Sequence, residues 1–259
     1  MTATSTTRSS AEPRVSFGGA FASEWLKARS LRSTWWLCAS AIVSAALITA
    51  FWTVAGPQPT QQNVLDAVAK GFGACEILLI LVGAVLSTAD FENHAISVFL
   101  AAVPRRTPLV LAKVLLSAII GLVVAGVGTA VSFAISVALH GGGASFGDPA
   151  VLRVLGDLTV FGACVSVIAT SVGLVFRSTI ATVGVTLGFL YLVPILISLV
   201  PLDAFALFSD TFPGNAATNF FGTTADPSRL DPVSGLIATL AWTAAWVIFA
   251  VIWIKRRNA

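Results

Sequence analysis

Residues 35–54 read Trp-Trp-Leu-Cys-Ala-Ser-Ala-Ile-Val-Ser-Ala-Ala-Leu-Ile-Thr-Ala-Phe-Trp-Thr-Val, 20 positions without one charged side chain. Coiled as an α-helix this stretch is about 30 Å long, the thickness of a bilayer's hydrocarbon core. Five comparable runs follow. The spans cover about 71–89, broken only by Glu76, then 109–139, 150–176, 178–200 and 233–254, the third span being charge-free from 114 and the fourth from 158. Each is too long for a strand of a membrane barrel, which needs only about 10 alternating residues. The reading is an all-α integral membrane protein with six transmembrane helices.

Composition agrees with that reading. Of the 259 residues 56% are hydrophobic and 10% charged, where soluble domains carry about 25% charged residues. A water-soluble globule cannot hide that much apolar side chain, and a disordered chain would hold far less. Once the spans are removed, little length remains for a second domain. The expected division is a disordered cytoplasmic tail over 1–16 and one six-span domain over 17–259.

Lys and Arg positions orient the spans, because basic residues concentrate in cytoplasmic segments. With the N-terminus inside, Arg8, Arg14, Lys27, Arg29, Arg32, Arg105, Arg106, Lys113, Arg177, Lys255, Arg256 and Arg257 are cytoplasmic, against Lys70, Arg153 and Arg229 outside. Both termini are therefore expected in the cytoplasm. The net charge of +3 records topology, and no nucleic-acid partner is implied. The first apolar run begins too late and is too long for a cleaved signal peptide. Cys38, Cys75 and Cys164 sit singly on three spans, without metal-ligand spacing or a disulfide pattern, and read as packing residues. No metal site is expected. Neither His94 nor His140 belongs to a catalytic constellation.

Two segments outside the spans have helical patterns. In 17–33, Phe17, Phe21, Trp25, Ala28 and Leu31 fall within an arc of about 120° on a helical wheel, with Glu24 and Arg32 intruding on it. This predicts an interfacial helix that turns into the membrane at Trp35 and Trp36; an ordinary basic flank is the plainer alternative. In 90–103, Phe91, Ala95, Val98, Phe99 and Ala102 form a stripe at helical spacing. Asp90 and Glu92 are expected in its first turn, Pro104 ends it, and Arg105 and Arg106 follow. Such a face either packs on lipid or on the chain's own spans, or docks into a groove on a cytoplasmic partner.

Inside the membrane, Glu76 is the outstanding ionisable group, costing about 2.5–3.5 kcal/mol if it sat in mid-bilayer. It is expected to face protein or a wet cavity, with Lys70 as a plausible partner. Asp157 is similarly placed, with Arg153 four residues before it to lower the cost of both. Gly184 and Gly188 form a GxxxG on the fifth span, read as a helix-packing or dimer surface, and Gly162, Ser166 and Gly173 a small-residue face on the fourth, read as packing. Pro194 is expected to kink the fifth span.

The run Asp90-Phe91-Glu92-Asn93-His94-Ala95-Ile96, with Leu100, Pro104-Arg105-Arg106 and Lys113, resembles the membrane subunits of type-2 ABC exporters of bacteria. Ser23-Glu24-Trp25-Leu26-Lys27 leading to Trp36 is similar to the start of that family. Two positions depart from its pattern: Asp90 stands where Glu is commoner, and His94-Ala95 where Gly-Thr is usual. The resemblance implies a multi-pass permease of the bacterial cell membrane that pairs with a second permease subunit, as a homodimer or heterodimer, and with two copies of a cytoplasmic ABC ATPase. That ATPase would hold ATP and magnesium, this chain binding no cofactor itself. The contact with it would be made by the helix holding Glu24 and by the 90–103 coupling helix, with Asp90, Phe91, Glu92, Val98, Phe99, Arg105 and Arg106. The family also implies that 201–231, carrying Phe205, Phe208, Phe212, Phe220 and Phe221, forms re-entrant helices in the outer leaflet. A loop packed on the span ends is the alternative. Pro213-Gly214-Asn215 is the expected turn within that segment.

No GxxxxGK[ST] phosphate loop occurs in the chain, so an ATP-driven cycle needs another polypeptide. The implied function is export of an amphipathic small molecule, peptide or lipid. The competing reading is a stand-alone secondary transporter or channel, which would call for paired intramembrane charges and an internal repeat.

Overall fold

The computed structural model describes residues 17–56, 60–92, 107–140, 142–200, 203–220 and 230–256. All of its regular structure is helical. A short helix α1 (Phe17–Ser30) precedes α2 (Arg32–Ala55), α3 (Gln61–Glu92), α4 (Thr107–His140) and α5 (Pro149–Phe176). The fifth long helix is composite: α6 (Thr179–Leu187), a π-helical turn (Gly188–Leu192) and α7 (Val193–Ser198). Two short helices, α8 (Asp203–Asp210) and α9 (Pro213–Phe220), lead to α10 (Pro232–Arg256). Six of these segments are long and apolar enough to cross a membrane: α2, α3, α4, α5, α6–α7 and α10.

Helix α5 is the axis of the bundle. It is buried along nearly its whole length, with α3 and α4 packed on it and α2 closing over those two. Lipid tails are as apolar as Leu, so burial from water does not hold such helices together; close approach and hydrogen bonding must. The small-residue face of α5 provides both. A Cβ added at Gly162 would meet the Ala125 Cβ of α4 at 2.5 Å, and one at Gly83 of α3 would meet the Ser166 carbonyl oxygen at 2.6 Å. At that seam the Ser117 hydroxyl of α4 donates to the Ser166 carbonyl at 2.9 Å, while Thr170 donates to Ser117 at 2.7 Å and to the Gly83 carbonyl at 3.2 Å. Three helices are thereby joined through hydroxyls that are wholly buried.

Turns at the two ends are chemically specified. Arg177 adopts the left-handed conformation (φ 56°) and returns its N–H to the Gly173 carbonyl at 2.8 Å, ending α5; Ser178 then caps α6. At the far end Asp148 accepts the Ser145 N–H and sits beside Gln61, and Pro149 opens α5 at a position where its missing N–H costs nothing. Asp231 accepts both the Ser234 hydroxyl (2.6 Å) and its N–H (3.3 Å), a cap that holds its carboxyl below the usual carboxylate range.

The second apolar helix starts at Gln61, ten residues before the charge-free run at Gly71. It carries Asn63, Asp66 and Lys70 beyond the 71–89 span, since a helix can extend past the hydrocarbon core. Lys70 lies 4.0 Å over the Trp52 ring rather than at Glu76. Six residues apart on one helix, the two side chains leave the axis about 120° apart.

Gly184 and Gly188 differ from the α5 glycines, since a Cβ at either would meet nothing within 4 Å in this chain. The contrast is testable. Gly162→Leu is expected to destabilise the folded chain by about 1–3 kcal/mol or more through overpacking, while Gly184→Leu leaves the chain's own stability unchanged. Thermal unfolding of both variants in one detergent measures the difference.

Candidate functional site

Polar chemistry gathers in two places, and the first is where α1 meets the bundle. Helix α1 packs against the start of α4. Glu24 is only 3% exposed, and its carboxylate is gripped by the Lys113 ammonium (Oε2, 2.7 Å) and by Lys27 (Oε1, 2.7 Å). Lys113 is buried as well and donates to the Leu86 carbonyl of α3 at 3.2 Å. Two charges and a helix carbonyl therefore meet across α1, α3 and α4. The intrusion of Glu24 on the apolar arc of 17–33 has this physical reason: it is the α1 side chain that reaches into the bundle.

Beside this knot lies a groove of about 140 Å³ lined by Glu24, Lys27, Leu31, Leu86, Ala89 and Lys113. It borders the end of α3, where the chain enters the predicted coupling segment. The backbone of Asp90, Phe91 and Glu92 belongs to α3. Val98, Phe99, Arg105 and Arg106 lie outside the described residues.

The second place is in the membrane-spanning part. Glu76 is 4% exposed, and among the described residues its Oε1 has no hydrogen-bond partner. The side chain that interacts with this carboxyl is Tyr191. Tyr191 is the only tyrosine in the chain and stands on the π-helical turn. That turn has a local cause. Pro194 has no N–H for the Leu190 carbonyl and its ring crowds the preceding turn; the backbone widens so that the Val193 N–H bonds Gly188 instead. The freed Leu190 carbonyl is met by the backbone of Gly214 on α9, approaching too closely for any side chain. Asp157 sits half-buried with Arg153 3.9 Å away.

From the π turn an aromatic chain runs across the bundle surface. Phe189 touches Phe212, Trp242 and Trp246, with centroids 5.2–5.4 Å apart, and Phe212 stacks on Trp242 at 4.9 Å. Phe208 packs edge-on against Phe212 at 5.4 Å. The hairpin α8–α9 is thus clamped at Phe212, which is buried together with Ala216 and Ala217, while Phe205 and Phe208 stay partly exposed. Its turn is Thr211–Phe212, and Pro213 opens α9 instead of forming the turn as the sequence suggested. Asn215 ties the two arms by donating to the Ser209 carbonyl at 3.1 Å. The Phe220 side chain and Phe221 lie outside the described residues. Gly184 and Gly188, on the same composite helix, point to open space.

Sequence reasoning missed two of these residues in their roles. Lys113 was read as a topology marker and as part of the family pattern, without a partner, and Tyr191 carried no expectation. A lone tyrosine three residues before a proline was the available signal for the second; nothing short of the fold signals the first.

Among known families, the sequence model of the ABC-2 family transporter protein matches residues 20–200, from within α1 to the end of the fifth span. No curated protein and no solved structure matches the chain significantly.

The Glu24–Lys113 pair yields a prediction. Lys113→Met alone leaves a buried carboxylate without its main partner, expected to cost about 3–5 kcal/mol. Adding Glu24→Leu to it restores most of that loss. Unfolding midpoints of wild type, both single variants and the double variant form the cycle that measures the coupling.

Proposed function

The chain belongs to the ABC-2 family of transporter proteins, and on that premise we propose that it is the permease subunit of an ATP-driven exporter in a bacterial cell membrane. That it is a multi-pass membrane component of an ABC transporter follows from the family and from the six apolar helices. The finer reading concerns direction, partners and cargo. Two copies of a separate ABC ATPase, holding ATP and magnesium, dock at the basic end of the bundle, on the segment 90–103 and the helix carrying Glu24. A second permease subunit, identical or related, completes the pathway.

The observation that supports this reading best is the buried knot of Glu24, Lys27 and Lys113. It makes α1, the end of α3 and the start of α4 one mechanical unit, and the chain of 93–106 joins those same two helix ends. A force applied there by an ATPase is passed to α3 and α4, both of which grip α5. In this scheme Glu24 transmits the force, with Asp90, Phe91, Glu92, Val98, Phe99, Arg105 and Arg106 forming the contact itself. The exposed glycine face at Gly184 and Gly188 suits close approach of a second subunit. Helices α8 and α9, dipping into the outer leaflet, close the far end or guide release, and the apolar aromatic lining suits an amphipathic small molecule, peptide or lipid. Membrane lipid surrounds the whole.

Gentle purification of the tagged chain from its native membrane, followed by mass spectrometry, tests the proposal. The expected result is a stoichiometric ATPase that is lost from a still-folded Phe91→Asp/Phe99→Asp chain. A folded chain that carries no ATPase in several mild detergents would overturn it. The unpartnered oxygen of Glu76 would then favour a stand-alone secondary transporter, with ion-driven uptake into liposomes as its assay.

A further inference from the structure

On the opposite side of α1 from the Glu24 knot lies a second groove, of about 120 Å³, between α1, α2 and α4. Its floor is apolar: Ile119, Ile120, Val123 and Val124 from α4 and Cys38 from α2. Its walls are the indoles of Trp25 and Trp35, which are about half-exposed. The Trp35 Nε1–H donates to the Arg29 carbonyl at 3.2 Å, fixing the bend between α1 and α2. Apolar cavities of roughly 150 Å³ take up a ligand the size of benzene, so this groove accepts a segment of an alkyl chain.

Two polar groups at the groove distinguish it from bare lipid-facing surface. Arg29 lines it, exposed, and none of the described ion pairs involves its guanidinium. Thr34 also lines it and is 3% exposed, with a hydroxyl that has no hydrogen-bond partner. A buried hydroxyl left without a partner costs about 1–3 kcal/mol, and that cost is removed if a ligand supplies the partner. An apolar slot, a neighbouring cation and a hydroxyl in need of a partner together match a molecule with an alkyl chain, an ester and an anionic head. Two tryptophans beside them are placed as aromatic residues are at a membrane–water interface.

We propose that this groove binds one anionic phospholipid, its acyl chain lying along Ile119–Val124, an ester oxygen at the Thr34 hydroxyl and its phosphate at Arg29. The lipid comes from the surrounding leaflet and acts as a wedge that holds α1 against α4 from the side opposite Glu24. Binding uses only α1 lying at the membrane surface, and it stands whether the chain works with an ATPase or alone.

Native mass spectrometry of the full chain in mild detergent tests this, with phosphatidylglycerol or phosphatidylcholine of identical acyl chains added back after delipidation. One phosphatidylglycerol per chain is expected to persist, bound about 5-fold more tightly than phosphatidylcholine, the scale of one basic residue at an anionic headgroup. Arg29→Gln should remove that preference. Ile120→Trp should fill the groove and abolish the adduct; Val123→Trp, at a more exposed position, serves if the first does not fold. Equal binding of the two lipids to the wild type would overturn the proposal. So would an unchanged phosphatidylglycerol adduct in a groove-filled chain, or a native occupant that proves to be a non-lipid amphiphile.

Discussion

Everything in this bundle depends on how closely α3 and α4 can approach α5 in a solvent that gives helices no reason to associate. In water, six apolar helices would be driven together; in a bilayer they are already dissolved. Gly162 and Gly83 let backbones come within reach of one another's side chains, and Ser117, Ser166 and Thr170 turn that proximity into hydrogen bonds that no lipid can offer. The remaining spans are held less deeply. Helices α2, α6–α7 and α10 each leave much of their surface uncovered within the chain, which suits elements that face lipid or a partner. A rigid three-helix centre with looser flanks is a frame in which the flanks can move against a fixed axis.

The charged groups follow the same logic at the edge of the membrane. A buried ion pair is weak evidence for stability, since desolvation offsets much of its attraction, but it is strong evidence for a specified geometry. Glu24 and Lys113 have no better partners than each other at that depth, with Lys27 and the Leu86 carbonyl completing the set. Only one docking position of α1 satisfies all four. An apolar helix on an apolar bundle could slide or rotate; this one cannot without exposing a buried charge to lipid.

The spans were legible because hydrocarbon thickness imposes a length that a charge-free run reveals directly. The face of α5 was legible for the same kind of reason: Gly162, Ser166 and Gly173 recur at helical spacing. The identical reasoning applied to Gly184 and Gly188 gives a small-residue face but not what covers it, because periodicity reports shape and not neighbours. The extension of α3 back to Gln61 was not legible, because the length of a charge-free run reports the hydrocarbon crossing and a helix can rise past the membrane surface. The pairing of Glu24 with Lys113 spans 89 positions of sequence, and no local rule joins residues so far apart. Tyr191 was hidden for a similar reason, as its importance comes from Glu76 on another helix.

Pro194 shows how one residue propagates through several levels. Its missing N–H frees the Leu190 carbonyl, and the turn before it widens to the π form. That widening carries Tyr191 to Glu76 on one side and presents Leu190 to Gly214 on the other. The same turn places Phe189 among Phe212, Trp242 and Trp246. A defect in one helix thus becomes the junction of three elements: the buried carboxyl on α3, the α8–α9 hairpin and the aromatic face of α10. The hairpin cannot lift from the bundle without also withdrawing Phe212 from that cluster and Gly214 from the freed carbonyl. Its motion is therefore coupled to the turn that holds Tyr191, and through Tyr191 to a carboxyl packed against the rigid centre.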